Sequence, residues 1–298
     1  MNYVAEGAAQ YPAAYTREML RKAQRSGQIL ESRALSFDAD KALHFDLGGV
    51  PAIMPYEECA DGVREGSVRD IALVTRVGRP VCFVVTDAPE GGPVRLSRAI
   101  AQKRCKEDYL DSLSPGDILC CRVTHIEPFG AFCDVGCGIS ALLPIDCMSV
   151  SRIATPADRV SVGQNIRCAV KSRDEAGRLV LTMKELLGTW EENAAQFTAG
   201  ETVVGVVRSI EDYGVFVELS PNLAGLAESV PGLARGQLVS VYIKSILPQR
   251  MKVKLVILDA LPEQNFRFPL KTYIEGDHLD HWVYSADGCG RVIETFFP

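Results

Sequence analysis

Two short stretches, IEPFGAFCDVG at 126–136 and IEDYGVFVELS at 210–220, each set two aromatic rings three residues apart around a glycine: Phe129 with Phe132, and Tyr213 with Phe216. A regular strand sends residues i and i+3 to opposite faces, so the rings can lie side by side only if the chain bends between them. Gly130 and Gly214 suit a bulge or kink there. On this reading Ala131, Cys133 and Val135 point inward, while Phe132 and Asp134 point outward. Neighbouring exposed rings form a surface on which nucleobases stack, at about 1–3 kcal/mol per base and with little preference for its identity. A single such pair could be a packing accident, with one ring tucked under the 145–162 connection. Two copies with the same spacing favour a stacking platform.

The stretches belong to longer repeats. SPGDILCCRVTHIEPFGAFCDVG (114–136) aligns without a gap on TAGETVVGVVRSIEDYGVFVELS (198–220), and 162–184 aligns on 235–257. A fainter copy precedes both: 44–58 parallels 132–146, and 91–99 parallels 176–184. There Lys41 and His44 stand where Phe129 and Phe132 stand in the second copy. Each copy reads as five short strands, in the second about 117–126, 129–136, 139–144, 165–173 and 178–183, with β-branched residues inside and Gly or Pro at the breaks. Five strands in about 70 residues suit a small closed barrel of the OB type. The expected fold is mainly β: three tandem five-stranded OB barrels joined by short helical linkers, with a small C-terminal β extension.

The boundaries that follow are an N-terminal helical segment at 1–26, a degenerate repeat at 27–98, a helical linker at 99–114 and a second repeat at 115–184. A second linker at 185–198, a third repeat at 199–258 and an extension at 259–298 complete the chain. Trp190 and Tyr109 are expected to dock the linkers on the barrels. In the extension, HLDHWVYS and GRVIETFF around ADGCG read as a β-hairpin. A hairpin alone is marginal, so it should lie on repeat three or on a partner.

Charge and cysteine usage narrow the chemistry. The net charge is −6. By count, repeats two and three each carry +1, whereas 27–98 carries −3, 185–198 carries −3 and 259–298 carries −4. The acidity lies away from the aromatic stretches. No two of the ten cysteines form a C-x-x-C pair, so a tetrahedral zinc site is not signalled; buried reduced thiols are expected. His278, His281 and Cys289 lack a fourth ligand and a recognised spacing, so no metal and no cofactor is expected. There is no apolar run long enough to span a bilayer and no signal peptide, which points to the cytoplasm.

In order along the chain, G-x-x-x-x-x-x-V, I-x-x-[F/Y]-G-x-F, G-x-x-V and a closing R-x-x-L-[ST]-x-K resemble the RNA-binding repeat of the bacterial ribosomal protein S-one family. The likeness covers 115–184 and 199–258 well and 27–98 weakly. It implies an RNA face made of the two aromatics, a residue at the end of strand three, and an Asp and a basic residue at the last hairpin. In repeat two these fall on Phe129, Phe132, Pro144, Asp174 and Arg178, and in repeat three on Tyr213, Phe216, Glu228, Pro248 and Lys252. The strand-three residue, usually His in that family, is Pro or Glu here, and repeat three lacks the Asp. Its hairpin QRMKVK is instead more basic, which adds Arg250 and Lys254 as weaker candidates, beside Lys41 and His44 of repeat one. The implied function is non-catalytic binding of single-stranded RNA or mRNA in translation or RNA metabolism, with repeat one a docking module. Implied partners are RNA and either the small ribosomal subunit or an RNA-processing complex, with no membrane.

Enzyme signatures are missing: there is no Walker loop, no H-E-x-x-H and no G-x-S-x-G, and three barrels with their linkers leave no length for a catalytic domain. The rival reading is a protein-interaction adaptor that uses the barrels, and the acidic repeat one and extension, to dock on the ribosome or an RNA-processing complex.

Overall fold

A computed structural model describes residues 3–8, 10–262 and 266–298; the expected N-terminal segment and C-terminal extension thus include a few residues outside the described set. The chain forms two compact units, one of residues 1–113 with 120–122 and 134–140, the other of the remainder.

In the first unit, helix α1 (Arg17–Ser26) starts at Thr16, whose hydroxyl accepts from the Met19 N–H, and stops at Gly27 in the left-handed region (φ 66°). Strands β1 (Leu30–Arg33), β2 (Ser36–Phe37), β3 (Leu43–Asp46) and β4 (Pro51–Met54) follow, then the short helix α2 (Asp70–Val74), β5 (Pro80–Asp87), β6 (Val94–Ser97) and helix α3 (Arg98–Asp108). The sheet order is β1-β5-β6-β4-β3-β2. Six strands replace the expected five because the first is split at Ala34. The Ala34 N–H donates to the Arg79 carbonyl, and one residue later the Leu35 N–H donates to the His44 carbonyl. The two halves of one strand therefore form the two edges of the sheet, around a core that includes Phe83, Leu43, Met54 and Leu96.

The second unit carries most of one barrel and all of another. Strands β7 (Ile118–Glu127), β8 (Gly130–Asp134), β9 (Ser140–Pro144), β10 (Asn165–Arg173) and β11 (Leu179–Thr182) close in the order β10-β11-β9-β8-β7. The 145–162 connection holds two single 3₁₀ turns, Ile145–Cys147 and Pro156–Asp158, the latter with a capping box from Thr155. Helix α4 (Trp190–Ala194), much shorter than the expected linker helix, leads to β12 (Thr202–Glu211), β13 (Gly214–Ser220), β14 (Leu223–Ala227), β15 (Leu238–Leu247) and β16 (Lys252–Ala260). These close as β12-β13-β14-β16-β15, the same arrangement again. The fold is mainly β, with tandem five-stranded OB barrels.

The extension pairs β17 (His281–Val283) with β18 (Glu294–Phe296), antiparallel. Trp282 and Tyr284 join the repeat-three core beside Trp190 and Val207, so the hairpin lies on repeat three. A buried carboxylate ties the unit further: Glu218 is bonded by both Arg159, from the 145–162 connection, and Arg208 on β12. All ten cysteines are free thiols, and eight are buried in the packing, while Cys120 is exposed and Cys289 half-buried.

Candidate nucleic-acid interface

The rings meet for a reason other than a kinked strand. Phe129 is not in a strand: it is the second residue of a two-residue turn, 128–129, between β7 and β8, and Tyr213 holds the same place in the 212–213 turn between β12 and β13. The register ends at Glu211↔Gly214, so the turn itself redirects the chain and sets the first ring beside the second. The centroids lie 6.1 Å apart in each pair, with the planes at 90° for Phe129–Phe132 and 88° for Tyr213–Phe216. That edge-to-face arrangement is the one the ring quadrupoles favour.

The glycines serve close approach. A Cβ on Gly130 would stand 2.5 Å from the Leu143 carbonyl oxygen, and one on Gly214 would stand 2.5 Å from that of Ala227. The bulge expected at the glycine falls on the partner strand, between Val207 and Ser209. Asp134 also departs from expectation. It is buried, not outward, and accepts from the N–H groups of Glu6, Gly136 and Gly138. Burial, and after it the nearby Glu6 charge, pushes its carboxyl up to about 6.

The two rings of each pair are not equally exposed. Phe129 and Tyr213 are 55% and 71% exposed, whereas Phe132 and Phe216 are half-buried. Neither turn ring is covered by the connection. Phe132 has a further neighbour, His125, stacked at 6.4 Å, which the repeat alignment did not single out.

In repeat two, Asp174 and Arg178 flank the β10–β11 turn and engage each other. Arg178 Nε donates to Asp174 Oδ2 at 2.8 Å, and the Arg178 N–H donates to Oδ1. Those bonds, the backbone one first, hold the Asp174 carboxyl below the usual range. Pro144 ends β9.

Repeat three gathers its candidates more fully. One cleft of about 530 Å³ is lined by Tyr213, Phe216, Glu228, Lys252 and Lys254, together with Lys244. A second, of about 750 Å³, is lined by the same two rings with Arg250 and Lys252. Both volumes fall in the range of ligand sites, about 300–1,000 Å³. Pro248 opens the 3₁₀ turn Pro248–Arg250 that carries the hairpin, which Met251 closes with a left-handed backbone (φ 47°). Lys244 was missed although it lies in the aligned segment, because its place on β15 is not among the RNA-face positions that the resemblance implies.

Repeat one differs. Lys41 Nζ sits 2.6 Å from Asp70 Oδ2 and 5.0 Å from the centre of the Tyr56 ring, and His44 Nε2 sits 2.6 Å from Asp38 Oδ2. Both candidates are engaged by carboxylates of their own unit. In the extension, His278 contacts Asp117 and Asp280, while His281 contacts Glu294, so the two imidazoles go to separate carboxylates.

Comparison with known proteins agrees with this architecture. The S1 RNA binding domain family matches residues 112–184. The small ribosomal subunit protein bS1 of Staphylococcus aureus is 33% identical over 214 residues, 65% of this chain and 54% of that protein. The bS1 protein of Staphylococcus saprophyticus is 29% identical over 194 residues, 59% of this chain and 49% of that protein. The chain thus spans about half the length of the curated relatives it matches. A multidomain protein with nucleic acid binding domains from Streptococcus pneumoniae overlaps 78% of this chain and 73% of its own, at 14% identity and a TM-score of 0.26, too slight a likeness to bear on function. Among the described residues no helix is long and apolar enough to cross a membrane. Residues 112–184 thus match the S1 RNA binding domain family, and the chain is similar to bS1 proteins over 65% of its length.

Proposed function

We propose that this protein binds single-stranded RNA, mRNA included, without catalysis, and that the aromatic pairs of repeats two and three are the stacking surfaces. The observation that carries this reading is the duplication: two turns in one compact unit present the same edge-to-face pair, with Phe129 and Tyr213 open to solvent. The match to the S1 RNA binding domain supports it. Lys252 and Lys254 beside the second pair, Arg250 at its other side, and Arg178 at the repeat-two hairpin would meet phosphates, which position a strand and make binding salt-dependent. Similarity to bS1 proteins supports translation as the proposed setting and the small ribosomal subunit as the proposed partner. Two linked platforms raise each other's effective concentration, so modest sites add up.

The adaptor reading keeps one observation in its favour, confined to repeat one. With Lys41 and His44 tied to Asp70 and Asp38, that sheet offers RNA neither rings nor a free lysine at this position. Docking is its proposed role.

The test is fluorescence anisotropy with a labelled oligo-U of about 20 nucleotides, on wild type and a Phe129→Ala/Tyr213→Ala variant. These two rings are the exposed ones, so the variant should stay folded. Losing two stacks should cost about 2–6 kcal/mol, a drop of roughly 30-fold or more. Unchanged affinity in the folded variant would remove the platforms from the account.

A further inference from the structure

The larger cleft beside Tyr213 and Phe216 draws its exposed cations from three separate pieces of the chain. Repeat three supplies the rings with Arg250 and Lys252, the 145–162 connection supplies Arg152, and the C-terminal extension supplies Arg291. All four cations are exposed. Among the described residues none of them has a carboxylate partner. The deeper charges cancel: Arg208, which also lines the cleft, pairs with Asp158 and Glu218, and Glu218 pairs with Arg159. That leaves four exposed cations against one lining carboxylate, Glu211. In a protein of net charge −6, and next to an extension that is itself acidic, such an excess is not a sample of the general surface. One Nη2 of Arg208, buried without a hydrogen-bond partner, adds an unmet donor at the same wall.

Both clefts of repeat three share Tyr213, Phe216 and Lys252, so the aromatic pair stands between them as a ridge. A strand whose bases stack on that ridge must leave it on both sides. We infer that the larger cleft is a phosphate clasp for the nucleotides flanking the stacked ones, with Arg152 and Arg291 reaching the RNA backbone from outside the repeat. The C-terminal extension thereby becomes a wall of the binding site, and the 145–162 connection lends a cation to its neighbour's platform. RNA is favoured over an acidic peptide because the cations surround an aromatic pair, the combination a single strand uses. The inference rests on the RNA reading of the rings, and its test separates the two.

Arg152→Gln/Arg291→Gln, Arg152→Lys/Arg291→Lys and Phe129→Ala/Tyr213→Ala would be titrated with labelled oligo-U of about 20 nucleotides across a salt series, each variant's Tm being checked first. Each lost phosphate contact should make the plot of log affinity against log salt shallower by about 0.7, so the Gln pair by about 1.4, with affinity near 0.1 M salt falling on the order of 10- to 30-fold. The Lys pair should keep the wild-type slope. A wild-type slope in the folded Gln pair, alongside lost binding in the ring pair, would overturn the clasp and leave the platforms standing. No wild-type binding to oligo-U would remove the reading beneath it. Poly-glutamate bound more tightly than oligo-U, and released by the Gln pair, would overturn the inference by assigning the cleft to an acidic protein segment.

Discussion

Repeat one and repeat three run through the same strand order and differ at one hairpin tip. In repeat three the tip is two residues, 212–213, and it delivers Tyr213 to solvent beside Phe216. In repeat one the Asp38 N–H donates to the Ala42 carbonyl across a three-residue tip that ends in Lys41 with a left-handed backbone (φ 62°). A three-residue hairpin loop calls for a left-handed residue at that place, and the longer tip sends its last side chain to Asp70 instead of laying a ring next to a ring. Where the later repeats have Gly130 and Gly214 against a neighbouring carbonyl, repeat one has Ala42, buried. The barrel is therefore one inheritance and the exposed aromatic pair another. Losing the pair went with a longer turn and with Lys41 and His44 held by carboxylates of the same unit.

If the difference is confined to that surface, the interiors should be equally intolerant of the same insult. Each unit buries one glutamate between two arginines: Glu6 with Arg98 and Arg76, and Glu218 with Arg159 and Arg208. Burial alone would raise the Glu6 carboxyl, but the Arg98 guanidinium against it brings it below the usual range. Glu6→Gln and Glu218→Gln should each cost about 3–5 kcal/mol in urea unfolding, because each leaves a guanidinium buried without its counter-charge. A loss below about 1 kcal/mol in either would show that the two interiors are not held alike.

At the tip itself the expected effect is smaller. Lys41→Ala/His44→Ala removes one exposed ion pair and one imidazole–carboxylate hydrogen bond, and should change stability by about 1 kcal/mol or less. It should leave oligo-U affinity where it was. A loss of affinity comparable to that of the ring variant would break the contrast between the repeats.

The smallest expected effect concerns the extension. The hydrogen bond between His278 Nδ1 and Asp117, with a second to Asp280, raises the imidazolium pKa above its ordinary value of 6.5. A raised folded-state pKa means that this contribution is fully present below about pH 6.5 and is lost as pH rises through the folded value. Amide exchange at Leu279, whose N–H donates to the Gly116 carbonyl, should speed up from pH 6 to pH 8 by more than the intrinsic rate does. His278→Gln should remove that excess.

Most of the barrel was legible because strand alternation and Gly or Pro breaks are local signals. The five strands read for repeat two fall within one or two residues of β7–β11, and the hairpin in the extension forms where its turn residues said it would. The split first strand of repeat one was not legible, since it depends on Ala34 pairing with the 77–79 segment, far along the chain. The ring pairs could be read as neighbours from their spacing. Their cause could not, because a two-residue turn and a close carbonyl are properties of register and of the strand alongside. Asp134 was misassigned for the same reason: strand alternation ends at β8, and the Gly136–Gly138 turn folds back onto its carboxylate. Arg152 and Arg291 were out of reach altogether, as no repeat alignment links a connection or an extension to a neighbouring repeat's rings.

The most direct measurement is a map of where bases touch the chain. The intact protein would be photo-crosslinked to a 4-thiouridine-substituted oligo-U of about 20 nucleotides, and the modified peptides identified by mass spectrometry. The account predicts crosslinks at the tips carrying Phe129 and Tyr213 and none across 38–44. Crosslinks concentrated in repeat one, with the two aromatic tips unmodified, would contradict it.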